Sequence, residues 1–236
     1  GLLALIVTYV SLLNQLVDFR IWETVIRYVS EFETKGERAK AQATIKLCYL
    51  LDTATGILAF LLVIITSAAT ANYLIHRPEV GGLLNLYALS LLCSTTNGTS
   101  TAILRVFDKF SWLSLHGLVL AALRLGLIVI ALSLNPAIKG VIWAYLLTEL
   151  AGGITINLLS LRVFQGQGFR DWREARVFLL KGRLKEIRVF LLTTNFHAFL
   201  GLITKNLDTI FLGYFRNPTE VGFYKIAKNI AHILGY

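Results

Sequence analysis

The chain has 236 residues, of which 56% are hydrophobic and 16% are charged, and its mean hydropathy is +0.65. A soluble domain of this length needs more charged surface than this composition supplies, so the composition argues against a soluble enzyme. The net charge of +9 comes from Lys and Arg residues that lie between apolar segments. Such a distribution is typical of membrane loops and does not indicate a nucleic-acid partner.

Apolar segments of about 20 residues recur along the chain, and a helix of that length crosses the hydrocarbon core of a bilayer. The sequence therefore predicts an all-α fold, a polytopic transmembrane helical bundle with about seven spans. The predicted spans cover residues 2–26, 45–74, 81–104, 111–134, 141–161, 189–215 and a last segment from 221 onward. Because the chain starts at Gly1, contains no Met and ends within an apolar segment, we expect it to be a fragment of a longer protein.

The segments between the predicted spans alternate in basic charge. Segments 27–46, 105–110 and 162–188 hold five, two and eight Lys or Arg residues, whereas the other three hold one each. Basic loops stay in the cytosol, so this pattern predicts the orientation of every span and a multi-pass protein of the cytoplasmic (plasma) membrane.

The longest connection, 162–188, is basic and amphipathic from Phe169 onward. One interpretation places it along the anionic cytoplasmic leaflet, where it divides the chain into two bundles. A solvated connector without contact to lipid explains the same pattern.

Ionisable residues inside the predicted spans are the candidate functional residues, because each costs roughly 2.5–3.5 kcal/mol at the middle of a membrane helix. Such residues normally face a partner or a water-filled cavity. Two interpretations stay open: a polar cavity for a charged substrate or coupling ion, or ion pairs that only neutralise each other. The candidates are Asp18, Arg20, Asp52, Arg124, Glu149, Lys205 and Asp208, with the histidines His116 and His197.

Depth along the helices suggests which of these residues meet. Arg124 and Glu149 lie on consecutive antiparallel spans, and both lie about 13–17 Å from the turn that joins them. We therefore expect them to form a pair. Lys205 and Asp208 are three residues apart on one span and share a face.

Several short motifs carry no chemistry in this context. Asn97-Gly98-Thr99 has the form of a glycosylation site but lies within a predicted span. The two cysteines and four histidines show no disulfide or metal spacing, and no nucleophile–base pattern or nucleotide-binding loop is present in the sequence. The sequence predicts a protein that is not an enzyme and needs no cofactor, apart from H+ or Na+ as a coupling ion.

Three stretches resemble one family of membrane proteins. Residues 206–215 (NLDTIFLGYF) and 220–227 (EVGFYKIA) are similar to an Asp-containing helix, its turn and the next helix in polysaccharide and O-antigen flippases. This family belongs to a superfamily with multidrug exporters and lipid II flippases. Residues 104–110 and 18–37 resemble two further parts of it. Arg20 departs from the family pattern, which has a small residue near that position.

The resemblance implies a two-lobe transporter with six helices in each lobe. Residues 1–161 would be the second to sixth helices of the N-terminal lobe, 162–188 a basic cytoplasmic linker, and 189–236 the start of the C-terminal lobe. It also implies an alternating-access flippase that acts as a monomer on a lipid-linked anionic oligosaccharide within the membrane lipids. The expected substrate-binding residues are Arg20, Arg124 and Lys205, and the expected coupling or charge-pair residues are Asp18, Asp52, Glu149 and Asp208.

Two alternatives remain beside the flippase. A cation-coupled multidrug exporter would have the same fold. A membrane-embedded glycosyltransferase or polymerase would need catalytic residues on sizeable outer loops, and the predicted outer loops here are short.

Overall fold

The computed structural model describes residues 1–134, 137–169, 172–216 and 218–234, with the side chains of these residues except 197–206, 218 and 232–234. Within these ranges the regular structure is helical and contains no β-strand, which confirms the all-α part of the predicted fold. The helices are α1 (Leu2–Val17), α2 (Ile21–Thr34), α3 (Arg38–Leu74), α4 (Val80–Ser94), α5 (Asn97–Val106), α6 (Phe110–Leu134), α7 (Ile138–Gly166), α8 (Leu184–Phe215) and α9 (Pro218–Leu234). A short 3₁₀ helix, Val177–Leu180, lies between α7 and α8.

Two predicted spans are broken, so the prediction that they are continuous is wrong. The first span, 2–26, is interrupted after Val17, and α1 and α2 meet there at an angle of 45°. The third span, 81–104, is interrupted between Ser94 and Asn97. In both places polar side chains bond to nearby backbone groups and compete with the helix.

Three described helices are long and apolar enough to cross a membrane: α3, α6 and α7. The bent pair of α1 and α2 would make a fourth span if it crosses as one unit. Helices α4 and α5 have 15 and 10 residues, so neither alone reaches the length of a span. The count of about seven spans therefore stays a prediction.

The centre of the bundle is formed by α3, α4 and α7, with α1 packed between α3 and α8. Helix α6 lies at the edge and packs mainly on α7, and none of its residues is buried. Its exposed side chains are large and apolar; Leu118 is 69% exposed and Leu125 is 65% exposed. Such a surface is suited to lipid contact.

Two apolar clusters fill the bundle, one towards each end. The first contains Val25 and Phe32 of α2, Cys48 of α3, and Phe164 of α7, and it extends to Leu180 of the linker. The second joins α1, the later part of α3, α4 and the start of α7, and it includes Ile6, Val63, Leu84 and Ile142. The two helix breaks lie between these clusters.

Close helix approach in this middle region depends on two glycines. A Cβ atom at Gly153 of α7 would collide with the carbonyl oxygen of Cys93 in α4. A Cβ atom at Gly56 of α3 would collide with the side chain of Thr95. Small residues of this kind let membrane helices pack backbone to backbone.

The two long basic segments meet at one end of the bundle. Lys46 donates hydrogen bonds to the backbone oxygens of Arg173 and Ala175 at 2.7 and 3.1 Å. Trp172 stacks on Phe164 with ring centroids 6.0 Å apart. The linker is therefore docked on the first apolar cluster, although its contact with lipid remains a prediction.

The topology can be tested with single cysteines in a variant that lacks Cys48 and Cys93. Cysteines at Thr34 and Gln167 should react with a membrane-impermeant maleimide only after the cells are permeabilised, because both lie in basic segments. A cysteine at Lys139 should react in intact cells. Reaction of the positions 139 and 167 from the same side would contradict the predicted orientation.

Candidate functional site

The break between α1 and α2 is stabilised by Asp18. Arg20 has a left-handed backbone with φ of 46°, which is uncommon for a residue other than glycine. Asp18 supports this turn by accepting a hydrogen bond from the Arg20 backbone N–H at 3.1 Å. Asn195 of α8 donates to the backbone oxygen of Asp18 at 3.1 Å. The break is therefore stabilised by a contact from α8 as well as by the side chain of Asp18.

The second break, between α4 and α5, is bridged by Asn157 of α7. The Thr96 hydroxyl lies 3.0 Å from the Asn157 oxygen, to which it donates, and 2.9 Å from the Asn157 nitrogen, from which it accepts. Ser100 also donates to the Asn157 oxygen at 2.8 Å. Tyr49 extends the network through hydroxyl contacts to Ser100 at 2.9 Å and to Ser160 at 3.1 Å.

Asp52 of α3 lies at the start of α5. It is 6% exposed, and its Oδ2 accepts a hydrogen bond from the Thr99 backbone N–H at 2.9 Å. The first N–H groups of a helix have no partner within it and carry partial positive charge. A carboxylate in this place therefore stabilises the start of the half-helix.

Asp18 and Asp52 line one small cavity of about 70 Å³ between the two breaks. Its wall combines these carboxylates with amide and hydroxyl side chains from α1, α3 and the α4–α5 break: Asn14, Thr55, Ser94 and Thr95. Neither carboxylate forms an ion pair with a Lys, Arg or His residue among the described residues. The cavity is thus a polar site of acidic character inside the bundle, and we call it the polar cavity.

The predicted contact between Arg124 and Glu149 is confirmed. The Arg124 guanidinium donates to the Glu149 carboxylate at 2.8 Å, and it also lies over the Tyr145 ring at 4.9 Å from the centroid. The two side chains are 37% and 29% exposed. Pairing lowers the cost of holding either charge inside the bundle, while a role in binding substrate stays a prediction.

The other predicted residues have different surroundings. Arg20 pairs with Glu23 at 2.8 Å and does not line the polar cavity. Asp208 accepts hydrogen bonds from Lys228 and Tyr224 of α9, each at 2.5 Å. The side chain of Lys205 lies outside the described residues, so its expected relation to Asp208 stays a prediction.

Of the two candidate histidines, only His116 has a described side chain. His116 is within 2.8 Å of the Thr155 hydroxyl and 3.3 Å of the Gly152 oxygen, which ties α6 to α7. The side chain of His197 is outside the described residues. His116 is therefore accounted for as a helix-packing contact.

The polar network around Asn157 was missed by sequence reasoning. Residues 94–101 read STTNGTST, a polar run inside an apolar segment, and the sequence analysis considered only its Asn97-Gly98-Thr99 part, as a glycosylation motif. Seven hydroxyl or amide side chains and a glycine in the middle of a span are a signal for a broken helix, because these side chains offer the backbone other hydrogen-bond partners.

Comparison with known proteins places the chain in a family. The family model for polysaccharide biosynthesis proteins matches residues 1–235. The chain belongs to the polysaccharide biosynthesis protein family. This membership agrees with the resemblance to flippases that the sequence motifs indicated.

The chain is also 22% identical over 239 residues to "Inner membrane protein YghQ" of Escherichia coli (strain K12). The alignment covers 100% of the chain and 66% of that relative, so the chain spans a little under two thirds of the relative's length. No solved structure gives a significant match to the chain. The relative and the apolar helices support a membrane location for this member of the family.

The bridging role of Asn157 predicts a specific loss of stability. Asn157→Ala should destabilise the protein by about 1–3 kcal/mol, because Thr96 and Ser100 lose a buried partner. Asn85→Ala, at an exposed position of α4, is the matched control and should change stability by less than about 0.5 kcal/mol. Thermal unfolding in detergent measures both. Equal effects of the two substitutions would show that Asn157 does not support the break.

Proposed function

We propose that the full protein is a flippase that moves a lipid-linked oligosaccharide across the cytoplasmic membrane by alternating access. The observation that carries the proposal is the match of residues 1–235 to the polysaccharide biosynthesis protein family in a bundle whose helices break around a polar cavity. Broken helices that line a polar site deep in the bundle are typical of secondary transporters. A membrane-spanning transporter also fits the apolar, exposed surface of α6.

The alternative of a polymerase or glycosyltransferase is less well supported by this chain. The connections between α3 and α4 and between α6 and α7 are short, and a polymerase or glycosyltransferase needs catalytic groups outside the membrane. Among the described residues, no group of three or more His, Cys, Asp or Glu side chains is placed to hold a metal ion. A multidrug exporter of the same fold is the second candidate, but the family description favours a polysaccharide precursor as substrate.

The two-lobe organisation is part of the proposal. Residues 1–161 would form most of the N-terminal lobe, 162–188 the linker and 189–236 the start of the C-terminal lobe. The remaining third of the relative's length leaves room for further helices of that second lobe. The anionic head group would enter between the lobes while its lipid chain stays in the bilayer, and the full protein would act as a monomer.

Arg20, Arg124 and Lys205 are proposed to attract the anionic head group. Arg20 and Arg124 are held in ion pairs with Glu23 and Glu149. A substrate phosphate would therefore have to replace a carboxylate partner. Such an exchange keeps the arginine paired in both states, but the released carboxylate must then take up a proton or find another partner, because a lone charge inside the bundle is costly.

Substitution of Arg124 tests the role in export. Arg124→Ala in the full-length protein should abolish export of surface polysaccharide while the protein still inserts. Arg124→Lys should keep part of the activity. The positive charge remains, although lysine cannot form the bidentate hydrogen bonds that arginine makes to a phosphate. Export and protein level are measured together in cells that lack the native gene. Arg77→Ala, at an exposed position, is the control.

Two results would argue against a substrate role for Arg124. Full export by well-expressed Arg124→Ala is the first. The second is a low protein level for Arg124→Ala that recovers when Glu149→Gln is added, because that recovery is expected from a purely structural pair.

Coupling to H+ or Na+ is proposed for the polar cavity. Asp18 and Asp52 form no ion pair among the described residues, although Arg20 is near enough to interact electrostatically with Asp18, whereas Glu149 and Asp208 are paired with Arg124 and Lys228. An unpaired carboxylate charge inside a membrane bundle is costly. Either protonation of the carboxylate or the binding of a cation removes that cost. Asp18 and Asp52 are therefore better candidates for coupling than Glu149 and Asp208.

Asp52→Asn should remove the coupling without unfolding the protein. The amide has the shape of the carboxylate, and its oxygen still accepts the Thr99 N–H bond. Transport in proteoliposomes should then lose its dependence on an imposed proton or sodium gradient. Asp108→Asn, at an exposed turn, is the matched control. Unchanged gradient dependence in Asp52→Asn would exclude Asp52 as the coupling residue.

A further inference from the structure

A second site lies at the end of the bundle where the basic segments meet. A cleft of about 620 Å³ is formed between α2 and the start of α8. One side of the cleft is apolar and aromatic, with Tyr28, Val189 and Phe190. Arg27 and Lys185 line the same cleft from opposite helices. Arg20 and Arg124, which the sequence predicted to bind substrate, do not line it.

Arg27 is held in place by the aromatic wall. It lies in a π-helical stretch, Val25–Val29, and π-helical turns occur often at functional sites. Its guanidinium carbon is 4.6 Å from the ring centroid of Phe190 and 5.4 Å from that of Tyr28. A guanidinium over a ring keeps its N–H donors free for oxygen acceptors, because they point outward in the guanidinium plane.

Glu186 also lines the cleft, and this residue and the nearby Glu31 are already paired with other cations. Glu186 accepts from Arg183 at 2.8 Å and from the Tyr28 hydroxyl at 3.4 Å. Glu31 accepts from Arg183 at 2.9 Å and from Lys35 at 2.6 Å. These four charges balance one another.

Arg27 and Lys185 are therefore the two cationic residues of the cleft that are not used in these ion pairs. Within the described parts of the chain, neither forms an ion pair with a carboxylate. Both residues line a cleft that has an apolar wall and is large enough for a phosphate group and part of a hydrocarbon chain. This combination of charge and wall matches the two halves of a phosphorylated amphiphile.

We propose that Arg27 and Lys185 bind the phosphate head of an amphiphile whose apolar part lies against Tyr28, Val189 and Phe190. The identification of this amphiphile as the lipid-linked oligosaccharide diphosphate rests on the proposed function. Because α2 and α8 belong to the two proposed lobes, the bound phosphate bridges the lobes. The site differs from Arg20 and Arg124 in that its cations need no release from a carboxylate partner.

Cysteine protection in the full-length protein tests the site. Thr193→Cys places a thiol in the cleft of a variant that lacks Cys48 and Cys93, reconstituted in nanodiscs of zwitterionic lipid. The rate of maleimide alkylation is measured with a short-chain polyprenyl diphosphate, with inorganic diphosphate and with added phosphatidylglycerol. The polyprenyl diphosphate should slow alkylation, and inorganic diphosphate should do so only at higher concentration, because it lacks the apolar part.

The cations are tested by substitution. Arg27→Gln and Lys185→Gln should each raise the concentration for half-protection by about tenfold, the effect of losing one charge-assisted hydrogen bond. Arg27→Lys should lose less than Arg27→Gln. Arg176→Gln removes an exposed charge outside the cleft and should leave protection unchanged. Equal half-protection in all variants would overturn the site, as would equal protection by inorganic and polyprenyl diphosphate.

Two further outcomes identify the source of the phosphate. Protection by phosphatidylglycerol with the same dependence on Arg27 and Lys185 upholds the phosphate site and assigns it to membrane phospholipid. Arg27→Gln could lose protection while export in cells stays intact. That result would uphold the phosphate site but would show that the exported substrate is not the ligand of the site. A full-length protein that exports nothing would contradict the proposed function but would leave the protection measurement valid.

Discussion

The structure depends on one constraint: backbone groups freed by a helix break inside an apolar bundle must find partners within the protein. Lipid chains offer no hydrogen-bond partner, and each unpaired group in the hydrocarbon core costs several kcal/mol. Asp18 and Asn195 stabilise the first break, and Asp52 and Asn157 stabilise the second. As a result, polar residues of four helices lie in one layer between the two apolar clusters. The two apolar clusters then pack towards the two ends of the bundle.

This layer is more elaborate than a stable bundle requires. Two continuous apolar helices would satisfy their own backbone groups and would need neither Asn157 nor Asp52. The layer also contains two carboxylates, Asp18 and Asp52, that form no ion pair among the described residues, and such groups are costly in a low-dielectric interior. The breaks create a polar cavity and a bend, both of which the proposed alternating-access flippase would use. The ion pair between Arg124 and Glu149, by contrast, is explained equally well by charge neutralisation.

The sequence allowed the helical fold and one long-range contact to be predicted, because hydrophobic period and depth along a helix are local properties. Arg124 and Glu149 were paired from their distance to a shared turn, and the structure has them 2.8 Å apart. The breaks near Arg20 and Thr95 were missed, because average hydropathy over a span hides a few polar residues. The cleft of Arg27 and Lys185 joins residues far apart in the chain, and no local pattern reveals such a contact. Asp208 was grouped with Lys205 by spacing, whereas its described partners lie on the following helix.

Flipping in proteoliposomes is the most direct test of the proposed transport. The full-length protein is reconstituted with a lipid-linked oligosaccharide that carries a fluorophore on its sugar, and the fluorophore in the outer leaflet is bleached by added dithionite. Nearly all of the fluorescence should be lost with the protein present, whereas only the outer-leaflet share should be lost in protein-free vesicles. A fluorescent phosphatidylethanolamine should behave alike in both. Loss of only the outer-leaflet share with folded protein present, or equal flipping of both lipids, would contradict a flippase for lipid-linked oligosaccharides.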